Sequence, residues 1–262
     1  MPDETMKIWY QSYVDYENGK TYWDKLGAYL ETIVDPGTQV DIKGITPHDA
    51  YAHALEEFRC AREVICNAVR AEREGYDAFL IGHFQDAGLY EARAVVDIPV
   101  VSLGEASMLY SCQLGQQIGL VTLNTRFIPY HHHQVVKYRL ENRVTGIHAM
   151  DFEPGQILAA FDDEGRYDRA LAQFAEQARP LVAAGVDVLL PAGGIPMLLF
   201  SQEHQHAIDG APVINGIAIA VKMAELAIKL RRHTGLAVSR VSDFAKPPEE
   251  VIEKFMTHPR GL

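Results

Sequence analysis

Short apolar runs alternate along this chain with longer stretches in which apolar residues recur at every third or fourth position. Residues 7–11 (KIWYQ) and 39–45 predict strands, and residues 50–74 carry helical spacing. Residues 77–81 (DAFLI) and 98–103 (IPVVSL) are near-continuous apolar runs, the pattern of strands buried on both faces. Residues 105–114 return to helical spacing. The pattern then restarts with a strand over 118–122 (IGLVT) and a helix over 129–139, where Pro129 suits the first turn. A strand over 144–150 follows, then a helix over 166–184 closed by Gly185. Strands at 186–190 and 212–214 and a helix over 217–232 complete the second run. A last short helix is expected in the tail, 243–262.

Strands alternating with helices predict parallel βαβ units with right-handed crossovers. The two runs also match each other. Gly75-Tyr76-Asp77-Ala78-Phe79-Leu80 parallels Gly185-Val186-Asp187-Val188-Leu189-Leu190 at an offset of 110 residues, and the strand starting at Ile8 parallels that starting at Ile118 at the same offset. Pro99-Val100-Val101 parallels Pro212-Val213-Ile214 at 113. The fold class predicted is therefore α/β, with two pseudo-symmetric lobes, each a mainly parallel sheet flanked by helices, and the active site in the cleft between them. Residues 1–116 with 215–262 are assigned to the first lobe and 117–214 to the second. The break at Gly115, Gln116 and Gln117 lacks the composition of a flexible linker. In open α/β sheets ligands sit beyond the C-terminal strand ends, which directs attention to residues 11–15, 82–88, 122–127 and 192–197.

Composition narrows the function classes. With 48% hydrophobic and 23% charged residues the chain reads as an ordinary globular protein. A net charge of −11 argues against nucleic acid and anionic membranes as partners. No apolar run approaches the roughly 20 residues of a membrane span, and residues 1–7 are polar and acidic, without a signal-peptide pattern. A cytoplasmic protein and a homo-oligomer are expected. Cys60, Cys66 and Cys112 form no C-x-x-C pair and read as buried thiols. The absence of G-x-G-x-x-G and of a P-loop implies no organic cofactor.

Several stretches resemble the hydantoin racemases and, more widely, the aspartate/glutamate racemase superfamily. Residues 75–89 (GYDAFLIGHFQDAGL), with the D-x-G-L ending at Asp86, Gly88 and Leu89, resemble the family's strand and catalytic loop. Gly104-Glu105-Ala106 resembles its helix start, residues 118–129 (IGLVTLNTRFIP) its second-half strand and loop, and residues 211–225 (APVINGIAIAVKMAE) its terminal strand and helix. The family's racemases use two cysteines, one after each repeated strand. The resemblance puts His83 at the first of these positions and Gly193 at the second, eight residues after Gly75 and Gly185.

That replacement implies chemistry with one proton-transfer group rather than two. An imidazole, with an ordinary pKa near 6.5, suits acid/base work near neutral pH. His83 is the acid/base candidate, with Asp86 either orienting it or serving as a turn or cap residue. By resemblance, Gln11, Ser12, Thr122, Asn124 and Thr125 contact the ligand. Backbone N–H groups around Phe84, Gln85, Gly193 and Gly194 are expected to hold an anion. The substrate expected is a small carboxylate or cyclic amide, in isomerase, decarboxylase or lyase chemistry through an enolate-like or oxyanion intermediate. The alternatives are a His-dependent or metal-assisted hydrolase of an amide or cyclic ureide, an inactive homologue that binds a small acid, and a racemase using His83 with an unidentified second base.

The remaining signals have plainer readings. His131-His132-His133 lie about 100° apart on a helix and cannot share one ion, and His204 and His206 are too close in sequence to ligate together from a helix, so no metal site is assigned. Glu105 suits a helix first turn. Trp9, Trp23 and the tyrosines of residues 10–22 fit a pocket wall, the core or a dimer contact equally.

Overall fold

Both halves lay down their strands in the same order. A computed structural model of the chain describes residues 5–48, 53–203 and 206–258. The first half runs β1 (Met6–Gln11), α1 (Lys20–Ile33), β2 (Thr38–Lys43), α2 (Ala54–Arg73), β3 (Ala78–Ile81), α3 (Leu89–Val95), β4 (Val100–Ser102) and α4 (Leu103–Leu114). The second runs β5 (Ile118–Thr122), α5 (Ile128–Lys137), β6 (Val144–Ala149), α6 (Pro154–Leu158), α7 (Glu164–Ala183), β7 (Val188–Pro191), α8 (Gly194–Leu199), β8 (Ala207–Ile208) and β9 (Ala211–Pro212). Helices α9 (Gly216–Thr234) and α10 (Glu249–Thr257) follow.

The sheets have the orders β2-β1-β3-β4 and β6-β5-β7, with all pairs parallel, and Val213 extends the second through a parallel bridge to Leu189. Register repeats as well as order. Ile8 pairs with Ala78 and Ile118 with Val188, both members displaced by 110 residues. Phe79 pairs with Val100 and Leu189 with Val213, displaced by 110 and 113.

The repeated G-x-D segment has one physical task in each half. Gly75 and Gly185 follow α2 and α7 at φ of 80° and 102°, the left-handed region that favours glycine after a helix. The next amide then closes the helix end, Tyr76 N–H to the Ala71 carbonyl and Val186 N–H to the Leu181 carbonyl. The aspartate two residues on pins the neighbouring strand: Lys7 N–H donates to Asp77 and Gln117 N–H to Asp187, each at 2.8 Å.

Alternate residues of β1 and β3 face opposite sides. Ile8, Tyr10 and Leu80 join the large core shared with the second half and with Ile217 and Val221 of α9, whereas Trp9, Phe79 and Ile81 pack with residues of α2 and α3. Helix α9 returns to the first sheet, where Glu225 accepts from Asp35 N–H and Arg232 donates to Asp77.

The structure moves some sequence boundaries. The strand read over 98–103 stops at Ser102, and Leu103 already opens α4. The strand read at 212–214 is reduced to Ala211–Pro212, antiparallel to β8, plus the Val213 bridge. The strand read at 186–190 begins at Val188, after the turn set by Gly185. Helices α1, α3, α6 and α8 were absent from the periodicity reading. Helix α2 begins at Ala54. Residues 50–52, His204 and the end of the tail lie outside the described residues.

Candidate active site

Strand β3 ends at Ile81 and strand β7 at Pro191. Two residues further along each loop stand His83 and Gly193, and both line one cavity of about 70 Å³. The cavity lies at the C-terminal ends of both sheets. Ser12, Tyr13 and Val14 wall it after β1, Gly82, His83 and Gln85 after β3, Leu123 and Phe127 after β5, and residues 192–196 after β7, with Tyr22 and Pro154 beside them. At roughly 10–15 Å³ of such space per water, it has room for a compact ligand.

The imidazole of His83 is held from two directions. Glu57 Oε1 lies 2.8 Å from His83 Nε2. Tyr13 stacks on the ring face, with centroids 3.8 Å apart and planes 6° from parallel, and its hydroxyl donates to the Ala87 carbonyl. The turn carrying His83 depends on Gly82, where a Cβ would sit 2.2 Å from the Tyr10 ring. Glu57 is buried on the same stripe of α2 as Cys60, Val64 and Ala68. Its other oxygen, Oε2, is buried without a hydrogen-bond partner among the described residues. A buried acceptor without a partner calls for a physical reason. Sequence reasoning missed Glu57, yet a signal was present: an acid on the apolar stripe of an amphipathic helix needs a partner.

Asp86 does not orient His83. Its carboxylate is buried and accepts from Gly104 N–H (2.9 Å), Glu105 N–H (2.8 Å), the Tyr138 hydroxyl (2.6 Å) and the Gln134 amide (3.1 Å). It therefore caps the start of α4 from a distant loop, the capping role left open by the sequence. Burial pushes its carboxyl up to about 6, against the pull of the donors.

Behind the cavity, a chain of hydrogen bonds joins the two halves. Gln134 donates through Nε2 to the Phe84 carbonyl and to Asp86, so its Oε1 faces His131 Nδ1 at 2.9 Å. An amide oxygen only accepts, so Nδ1 carries the proton. Nε2 then accepts from the Thr122 hydroxyl at 2.9 Å, with the Ala192 carbonyl 3.4 Å away as a weaker second acceptor. Burial lowers the His131 pKa to about 4, which keeps the ring neutral. His132 and His133 are exposed. Among the described residues no group of three His, Cys, Asp or Glu side chains gathers as a metal site would.

The other candidates divide. Ser12, Gln85, Gly193 and Gly194 line the cavity. Gln11, Phe84, Thr122, Asn124 and Thr125 do not. Gln11 donates to the Ser12 and Lys43 carbonyls and accepts from Trp9 and Asn67. Phe84 is buried edge-on to His131. Asn124 caps the turn at Arg126 N–H and donates to the Phe152 carbonyl, and Thr125 is exposed. The expectation that Gly193 N–H holds an anion is corrected, because that N–H donates to the Pro191 carbonyl at 2.8 Å. Glu105 pairs with Arg93. Tyr13 and Tyr22 are cavity walls, whereas Trp9 packs on Tyr76 and Trp23 donates to the Val14 carbonyl. None of the three cysteines lines the cavity.

Two similar parallel sheets whose loops converge on one cavity define a two-lobed α/β protein of the racemase type. Residues 19–224 match the Asp/Glu/hydantoin racemase family, and the chain belongs to that family. It is 32% identical over 178 residues to the hydantoin racemase of Rhizobium meliloti, covering 68% of this chain and 69% of that protein. It is 30% identical over 186 residues to the hydantoin racemase of Pseudomonas sp. strain NS671, covering 68% and 69%. Among solved structures, the allantoin racemase from Klebsiella pneumoniae superposes with a TM-score of 0.72 at 22% identity, covering 93% of this chain and 94% of that one, a likeness of fold. The chain is thus a racemase-superfamily enzyme, similar to hydantoin and allantoin racemases. Among the described residues no helix is long and apolar enough to cross a membrane.

Proposed function

We propose that the protein moves a proton at a carbon next to a carbonyl group, with His83 as the single acid/base. The observation that carries this is the Glu57–His83 pair, whose imidazole stacks on Tyr13 and lines the cavity at the loop position that Gly193 mirrors. Glu57 fixes the ring and stabilises the imidazolium formed when the ring takes a proton.

Of the two substrate classes, a compact cyclic amide fits better than a carboxylate. Among the described residues no lysine or arginine lines the cavity, and Val14, Leu123, Phe127, Ile195 and Pro196 make much of its wall apolar. When the carbon acid loses its proton to His83, the C–H electron pair moves onto the carbonyl oxygen as an enolate. Gln85, which lines the cavity, is the side-chain donor assigned to that oxygen. The hydantoin racemases among the relatives act, by name, on such rings. We assign the fold's working form to a homo-oligomer in the cytoplasm, and divide it at residues 116–117 and 214–215.

The test is hydrogen exchange in deuterated water, followed by NMR, with 5-methylhydantoin and methylmalonate as probes. Deuterium uptake at C5 of the hydantoin that vanishes in His83→Ala is the expected result. Loss of CO2 from methylmalonate instead moves the assignment to a decarboxylase. Ring opening without exchange moves it to a hydrolase, and binding without turnover to a small-molecule sensor.

A further inference from the structure

Five consecutive residues, Ala192, Gly193, Gly194, Ile195 and Pro196, form the cavity wall contributed by the loop after β7. None has an ionisable side chain, so none can give or take a proton. The wall is also full. A Cβ at Gly193 would lie 3.0 Å from both Cδ and Cγ of Pro196, closer than side chains ordinarily approach, and a Cβ at Gly194 would lie 2.9 Å from the Gly82 carbonyl oxygen. The proline cannot give way by changing rotamer, because its ring is fused to its own backbone. It is buried in the first turn of α8. The backbone of the turn is itself pinned, Gly193 N–H to the Pro191 carbonyl and Met197 N–H to the Gly193 carbonyl.

Resting on the one-base reading of His83, we infer that Pro196 is a specificity-determining residue: it seals the second face, so protons enter and leave the substrate carbon from the His83 face alone. The imidazole takes the proton and the C–H electron pair passes to the enolate; the imidazolium exchanges that proton for a deuteron from the solvent and returns the deuteron to the same face. The carbon exchanges its hydrogen and keeps its configuration. Gly193 is then not merely a missing base. Pro196 also disfavours any side chain that would restore one.

The separate enantiomers of 5-methylhydantoin, incubated in deuterated water and followed by NMR and chiral chromatography against an enzyme-free control, test this. Wild type is expected to exchange C5–H of one enantiomer at least 10-fold faster than it inverts that centre. Inversion keeping pace with exchange in wild type overturns the sealed face while leaving His83-dependent proton transfer intact. Loss of exchange altogether, or exchange unchanged in His83→Ala, overturns the one-base reading and this inference with it. Thermal melting gives a readout independent of turnover. Gly193→Cys is expected to lower Tm by about 2–4 °C, and Gly193→Cys combined with Pro196→Ala to lose less than the two single changes summed. An unaltered Tm in Gly193→Cys, or strict additivity, shows that the wall has room and overturns the inference.

Discussion

Gln134, on helix α5 of the second half, donates its side-chain amide to the carbonyl of Phe84, the residue that follows His83 in the first half. The same amide group reaches Asp86 and His131. One side chain therefore couples the loop bearing the imidazole, the cap of α4 and the neutral histidine that bonds Thr122.

Gln134→Leu removes this coupling while roughly keeping volume. It leaves the Phe84 carbonyl, one acceptor position on Asp86 and His131 Nδ1–H unsatisfied in a buried place. A loss of about 2–4 kcal/mol is expected, since each buried orphan costs about 1–3 kcal/mol. Urea unfolding of both proteins measures it, and a loss under about 0.5 kcal/mol, the level of an ordinary surface change, contradicts the network.

Glu57→Gln tests the His83 partner. The amide keeps the shape but not the charge that stabilises an imidazolium. His83→Ala is expected to slow hydrogen exchange by about 10²–10⁴-fold, the usual range for a general acid/base. Glu57→Gln should slow it less, on the order of 10-fold, and alter its pH profile. An unchanged profile in Glu57→Gln shows that the carboxylate only packs.

Two buried groups bias stability with pH in opposite directions. His131 titrates at about 4 when folded, below its ordinary 6.5. It contributes stability that is present above pH 6.5 and lost as pH falls through 4, up to about 3 kcal/mol. Asp86 titrates at about 6 when folded, above its ordinary 3.8. Its contribution is present below pH 3.8 and lost as pH rises through 6, again about 3 kcal/mol at most. The two largely cancel between pH 4 and 6 in the wild type. Asp86→Asn removes one of them, so its stability should fall more steeply than wild type from pH 6.5 to 4. Denaturation at half-unit pH intervals, with the His131 ring followed by NMR, checks both the slope and the midpoint near 4.

Glycines at two loop positions should respond differently to alanine. At Gly82 a Cβ would meet the Tyr10 ring at 2.2 Å, so Gly82→Ala must displace a fully buried aromatic ring. A cost of about 1–3 kcal/mol or more is expected from overpacking. At Gly75 nothing lies within 4 Å of the added Cβ, and only the left-handed φ of 80° is strained, about 1–2 kcal/mol. Parallel melting curves that rank Gly75→Ala as the more damaging would contradict the packing at Tyr10.

Much of the fold was readable before any coordinates. The G-x-D pairs at Gly75–Asp77 and Gly185–Asp187 are local: a glycine ends a helix, and an aspartate two residues on meets the adjacent strand. Such short-range requirements leave a mark in sequence, and their repetition at one offset gave the two-sheet architecture. The short helices α3 and α8 left no such mark, because six or seven residues are too few to show a period.

The site was legible only in part. The sequence by itself determined where the loops after β3 and β7 fall, and that His83 and Gly193 occupy equivalent places in them. Parallel strands bring their C-terminal ends to one side of each sheet, so the two residues hold equivalent places at those ends, and the packing of the two sheets brings them to one cavity. Which carboxylate serves His83 was decided by tertiary structure alone. Asp86 is three residues away in sequence but is turned into the start of α4, where two backbone amides, a phenol and an amide group satisfy it. Glu57 is 26 residues away, yet α2 packs along β3 and lays its carboxylate against the ring. Sequence proximity orders covalent neighbours, whereas a buried charge goes to whichever partner the packing of helix on sheet brings within hydrogen-bond reach.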